Sequence, residues 1–159
     1  MIIFPSRKSF YIIIFFISLI SIVSALYIEY ILQYEPCKLC IYQRIPYIFG
    51  IAICLIGFYF STSDKILILI IIVFILSAII SGYHFGIENS FFDELSSCTN
   101  NSLDLSDKKK LLESLNKNMP ISCKDTTFKV LGLSLAAINT LLSILIVIIS
   151  VRTLTYEKN

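Results

Sequence analysis

Four long apolar runs decide most of what this chain can become. They are Phe10–Ile28, about Ile45–Phe60 with room to extend back toward Ile41, Ile66–Tyr83, and Val130–Val151. Crossing a hydrocarbon core takes about 20 residues of helix. The second run is the shortest, so it must borrow flanking residues or sit in locally thinned bilayer. The runs are apolar all round rather than along one stripe, as lipid-embedded helices are. Their isoleucines would favour strands in water, but the runs are too long for buried strands and show no alternation. Composition agrees, with 57% of the 159 residues hydrophobic and only 15% charged, against about 45–50% and 25% in soluble domains. The expected fold is all-α: a four-helix transmembrane bundle forming a single integral membrane domain over 1–159, with spans at about 10–28, 44–61, 66–83 and 130–151.

The connections are unequal. Ser61–Lys65 is a tight polar turn, and Tyr34–Arg44 is a short loop containing Pro36. His84–Lys129 is a long polar segment holding most of the charge, so the two larger loops are expected at about 29–43 and 84–129. Inside the second, Ser106-Asp107 followed by Lys108–Lys117 reads as a capped amphipathic helix, with Leu111, Leu112 and Leu115 opposite the lysines. Two readings of it stand: a helix lying on the membrane surface, or one packed on its own loop. Arg7-Lys8, an apolar run and Val23-Ser24-Ala25 resemble a signal peptide, but the run exceeds the usual apolar core of about 7–15 residues. It is expected to stay as a span. A net charge of +2 with no basic stripe sets nucleic-acid binding aside.

Four spans put both termini on one side and the first and third connections on the other. Cys37, Cys40, Cys98 and Cys123 all fall in those two connections. Exposed paired cysteines belong in an oxidising space, so the loops that carry them are expected outside the cytoplasm. Basic residues do not decide the matter. Arg7, Lys8, Lys65, Arg152 and Lys158 fall inside, but Lys38, Arg44, Lys108, Lys109, Lys110, Lys117, Lys124 and Lys129 fall outside.

Cys37-Lys38-Leu39-Cys40 is a C-x-x-C where a short loop meets the second span. A thiolate near a helix N-terminus or a cation has a lowered pKa and is the reactive form. Arg44 follows Cys40 at helical spacing, which puts both on one face if the helix already runs there. Pro46 suits the first turn. A structural disulfide or half of a zinc site is the plain alternative, and no metal is expected because Cys98 and Cys123 lack knuckle spacing. That second pair reads either as a loop-stabilising disulfide or as an exchangeable one, since exchange needs access and mobility. Cys54, mid-span, is an apolar filler. His84 is the lone histidine, and both an interfacial and a functional role stay open for it. Glu29 sits near the outer end of the first span, and Asn139 is a polar group in the fourth expected to bond another helix.

Glu35-Pro-Cys37-Lys-Leu-Cys40-Ile-Tyr-Gln43-Arg44 resembles the signature of the disulfide bond formation protein B (DsbB) family. Tyr83-His84-Phe-Gly86-Ile-Glu88 resembles the end of its third helix in one branch, and Leu131-Gly132-Leu133-Ser-Leu-Ala136-Ala-Ile-Asn139 the start of its fourth. The resemblance spans nearly the whole chain. It implies a quinone-dependent thiol oxidase in the bacterial inner membrane, with its cysteine loops facing the periplasm. Cys98 would be attacked by a reduced DsbA-like thioredoxin-fold oxidase, the released Cys123 would pair with Cys37, and Cys40 would hand electrons to ubiquinone or menaquinone. Arg44 would hold the quinone, with His84 beside it. Such a partner is a strong oxidant at about −120 mV, so reoxidising it needs a stronger acceptor, and a respiratory quinone qualifies.

Two rivals remain. A vitamin K epoxide reductase-like enzyme also combines four helices with C-x-x-C, but there the loop cysteines precede the motif. The other is a non-enzymatic membrane assembly protein with two inert disulfides.

Overall fold

The structure, a computed structural model, describes residues 6–60, 63–93, 123, 129–130 and 132–156. Among these, the chain forms α1 (Arg7–Tyr30), α2 (Lys38–Tyr42), α3 (Ile45–Tyr59), α4 (Asp64–Glu88) and α5 (Leu135–Tyr156). Four segments are long and apolar enough to cross a membrane: α1, the α2–α3 unit Lys38–Tyr59, α4 and α5. The all-helical, four-span architecture is therefore present. In lipid every backbone N–H and C=O must be satisfied within the segment, which overrides the strand preference of isoleucine. Hydroxyl side chains follow the same rule: Ser81, Thr140 and Ser150 bond carbonyls one turn back in their own helices.

Several span boundaries differ from those expected, among them the start of the second span at Lys38 and the end of the fourth at Tyr156. The third helix does not stop at Tyr83 but runs to Glu88, so His84 lies in its last turns rather than opening the loop. Hydropathy falls at His84, but His84 and Glu88 are one turn apart and bury their polar atoms against each other. The fourth helix starts at Leu135 rather than Val130. Lys129–Val130 and Leu133–Ser134, labelled β1 and β2, pair antiparallel just before it. Their turn uses Gly132 at φ +82°, a conformation most side chains avoid. The amphipathic helix expected at Lys108–Lys117 lies outside the described residues, as does Cys98.

Helix α5 packs mainly on α4, and α1 on α3, with α3 joined to α4. The core runs through the bundle as Phe10, Tyr11 and Ile14 of α1, Ile53 and Cys54 of α3, Leu67, Ile70 and Phe74 of α4, and Ile146 of α5. Large apolar side chains such as Phe16, Ile20, Phe49, Ile79 and Leu141 point outward. In water they would form an aggregating surface; against acyl chains they are at home. At one end Arg7 Nη2 meets Asp64 Oδ1 at 2.6 Å, tying together the N-termini of α1 and α4. Cys37, Cys40 and Cys123 gather at the opposite end, as parity requires.

Close helix approach depends on small residues. A Cβ on Gly57 would meet the Tyr11 ring at 2.9 Å and Ile66 at 3.1 Å, whereas one on Gly82 would find nothing nearer than 3.9 Å. Gly57→Ala is expected to lower stability by about 1–3 kcal/mol and Gly82→Ala to change it little. Unfolding of both variants by SDS titration in mixed micelles checks this.

Candidate functional site

Pro36 precedes Cys37, whose extended backbone (φ −69°, ψ 166°) makes it the N-cap of α2. Its sulfur accepts the backbone N–H of Cys40 at 3.3 Å, the usual office of a serine or aspartate at this position. The C-x-x-C spacing then brings the two sulfurs to 3.0 Å, with the Cys37 thiol donating to Cys40 Sγ. Cys37 is buried and Cys40 half-buried. Cys123 is buried too, packed with Cys37 and Ile87, and hydrogen-bonded to the Cys37 sulfur. The structure thus joins three of the four expected cysteines; the fourth, Cys98, lies outside the described residues. Cys54 is apart from them, buried in the apolar core as its filler role requires.

The Cys37 thiol is pushed up to about 12. The bond with Cys123 pulls its pKa down, but sharing its proton with Cys40 and burial outweigh that pull. At neutral pH Cys37 therefore keeps its proton and presents it to Cys40. Negative charge on the pair belongs to the cysteine that accepts.

Helix α4 brings His84 in behind the pair, with Nε2 3.6 Å from Cys37 Sγ and 3.6 Å from Glu88 Oε1. The Gln43 side-chain amide lies 2.7 Å from His84 Nδ1, and Gln43 Oε1 accepts Asn139 Nδ2 of α5 at 2.8 Å. Asn139 Oδ1 in turn accepts the Tyr47 hydroxyl. The expectation that Asn139 bonds another helix holds, and its partners are Gln43 and Tyr47. Neither had been singled out in the sequence as a site residue. Their signal is a polar and a phenolic group one helical turn apart, entering an otherwise apolar run.

Arg44 sits in the short break between α2 and α3 and reaches across to α1, where Nη1 meets Glu29 Oε2 at 2.5 Å. Glu29, left open between bundle and interface, is the counter-ion of this arginine. Arg44 and Cys40 line one cavity of about 320 Å³ between α1, the α2–α3 unit and α5. Ile20, Ala25 and Ile28 of α1 and Ile138 and Leu142 of α5 form apolar walls; the sulfurs, Arg44, Gln43 and His84 form its polar end. The volume lies at the lower end of the usual range for small-molecule pockets, and the mix of apolar wall and few polar groups is typical of them.

The ligand atoms of Cys37, Cys40 and His84 lie within 4.8 Å of one another, a donor set suited to a soft ion. Ligation would need a lone pair on Nε2, the nitrogen that faces the acceptors Cys37 Sγ and Glu88 Oε1. The chemistry supported best is that of a vicinal dithiol: loss of two electrons and two protons to close a disulfide, with Cys123 placed to exchange with Cys37.

Comparison with known proteins agrees with this chemistry. The family model described as disulfide bond formation protein DsbB matches residues 7–153. The chain is also 34% identical over 150 residues to an uncharacterised protein, RP370, of Rickettsia prowazekii (strain Madrid E), covering 90% of this chain and 85% of that protein. The chain belongs to the DsbB family, and with it to the multi-pass membrane disulfide oxidoreductases.

Proposed function

We propose that this protein reoxidises a periplasmic DsbA-like dithiol oxidase and passes the electrons to a membrane quinone, ubiquinone or menaquinone, from the bacterial inner membrane with its cysteine loops facing the periplasm. The observation that carries the reading is the position of Cys37–Cys40 between two different neighbours. One neighbour is the buried Cys123, and the other is the space of the cavity that all three cysteines line together with Arg44.

A quinone supplies a two-electron, two-proton acceptor. The residues present fit one: the apolar walls suit a ring and isoprenoid tail, and the Arg44 guanidinium suits a carbonyl oxygen that gains negative charge. Glu29 aims the guanidinium and offsets its charge at the rim. The thiol chemistry proceeds by exchange. A partner thiolate attacks Cys98 of the Cys98–Cys123 disulfide, forming a mixed disulfide and releasing Cys123 as a thiolate. Cys123 attacks Cys37 of the Cys37–Cys40 disulfide, and Cys40 leaves as the thiolate. The second partner thiolate resolves the mixed disulfide and frees Cys98. The freed Cys98 attacks Cys123 of the Cys123–Cys37 disulfide, which restores Cys98–Cys123 and releases Cys37; the reduced pair would then give two electrons and two protons, through Cys40, to a quinone held at Arg44 as Cys37–Cys40 closes. The order of contacts, Cys123 to Cys37 to Cys40, matches this sequence of exchanges.

The reading generates three expectations. A reduced DsbA-like partner whose second cysteine is changed to Ala should be trapped as a mixed disulfide on Cys98 of the oxidised protein, seen as a larger species on non-reducing gels and lost in Cys98→Ala; no such species would favour the inert-disulfide alternative. Arg44→Met should raise the KM for a soluble quinone about tenfold or more, since a charge-assisted bond contributes about 1.5–3 kcal/mol, while leaving partner trapping intact. A thiol with a pKa of about 12 is almost wholly protonated between about pH 7 and 9. Iodoacetamide should therefore label Cys40 of the reduced protein well before Cys37, and Cys37 labelling should rise only as the pH approaches that value. Mass spectrometry of the peptide that carries both cysteines reads the order.

A further inference from the structure

The polar groups behind the dithiol form a single file with a definite direction. Glu88 Oε1 and Cys37 Sγ both face His84 Nε2 at 3.6 Å. Cys37 spends its proton on Cys40, so its sulfur can only accept from the ring, as an ionised Glu88 would too; Nε2 is then the nitrogen that donates and Nδ1 is left as an acceptor. Gln43 must then present its N–H group to Nδ1, at 2.7 Å, which leaves its oxygen to accept from Asn139 at 2.8 Å. Asn139 has thereby spent its N–H group and must accept with its oxygen, which it does from Tyr47. Tyr47 has one proton and gives it to Asn139, which makes it the head of the file. At the other end Cys37 passes its own proton toward Cys40 Sγ at 3.0 Å.

We propose that Tyr47, Asn139 and Gln43 are positioning residues that lock His84 as the neutral Nε2–H tautomer, so that every donor in the file points toward Cys37 and, through it, toward Cys40. The inference deepens the redox reading of this dithiol and rests on it. Reversing the file requires both amides to flip together and would turn the lone pair of Nε2 onto a carboxylate and a sulfur that also carry lone pairs. Aligned bonds polarise one another in a low-dielectric interior. Charge on Cys40 is thus favoured by groups that never touch it, anchored on α5 and α3, while His84 itself touches Cys37. The network also explains why a polar trio is kept inside spans where unsatisfied groups are costly.

The chain contains one histidine, so ¹⁵N-histidine labelling of the full-length reduced protein in detergent gives the signals of a single imidazole. The expected spectrum has Nε2 protonated and Nδ1 bare. Asn139→Leu frees the Gln43 amide to turn, and Tyr47→Phe removes the proton that Asn139 accepts. Both should lose the pure Nε2–H form, and Asn139→Leu should slow alkylation of Cys40 about two- to tenfold, the worth of one hydrogen bond. A wild-type imidazole protonated on Nδ1 or on both nitrogens overturns the proposal, as does an unchanged tautomer in both variants. The tautomer is read without turnover, partner or quinone, so failure of the file and failure of the redox reading are separate outcomes.

Discussion

Inside a hydrocarbon slab a polar side chain finds partners only in other parts of the protein. Everything at the cysteine-bearing end of this bundle follows from that constraint. Arg44 is tolerable there because Glu29 meets it from α1; His84 because Gln43 and Glu88 flank its ring; Asn139 because Tyr47 and Gln43 take both ends of its amide. Each pairing crosses from one element to another, except His84–Glu88 within α4. The polar network therefore also sets how the helices sit around the cysteines. Breaking one member leaves its partner unsatisfied, which costs more than the bond itself contributes.

The same constraint separates the two faces of the dithiol. Around His84, Gln43 and Asn139 the neighbours are hydrogen-bonding groups; α1 and the rest of α5 add Ile20, Ala25, Ile28, Ile138 and Leu142 to the cavity wall, with Ser21 and Ser24 between them. A group that is polar at one end and apolar along its length fits that division. The thiol pair sits at the boundary and lines the cavity with Cys123, the buried Cys37 packed against Cys123 and Cys40 the more open of the two.

The four spans were legible in the sequence because lipid removes the usual ambiguity between helix and strand: an apolar run of sufficient length has one backbone solution. Cys37, Cys40, Arg44 and His84 were legible as residue types at telling positions, and parity alone placed Cys123 with Cys37 and Cys40. Hydropathy failed at the helix ends for a specific reason. It weighs each side chain as though it faced solvent or lipid, so His84 and Glu88 looked like the start of a loop, although both side chains are buried in the last turns of α4, 3.6 Å apart, with Gln43 bonded to the His84 ring. Tyr47 was invisible as a site residue, and Gln43 was legible only as part of the motif and without a role, because their role exists only once α5 delivers Asn139 to them, a contact between residues 92 and 96 positions apart in the chain.

The central claim is that Cys37 and Cys40 alone give up their electrons to a quinone in the adjoining cavity. An anaerobic single turnover of a Cys98→Ala, Cys123→Ala protein, reduced beforehand and mixed with a soluble ubiquinone, measures this without any partner. The account predicts one quinone reduced per chain, followed by its absorbance, with the disulfide closing at the same rate, and no reaction when Cys40 is also changed to serine. Disulfide closure without quinone reduction, or reduction that survives Cys40→Ser, would contradict it.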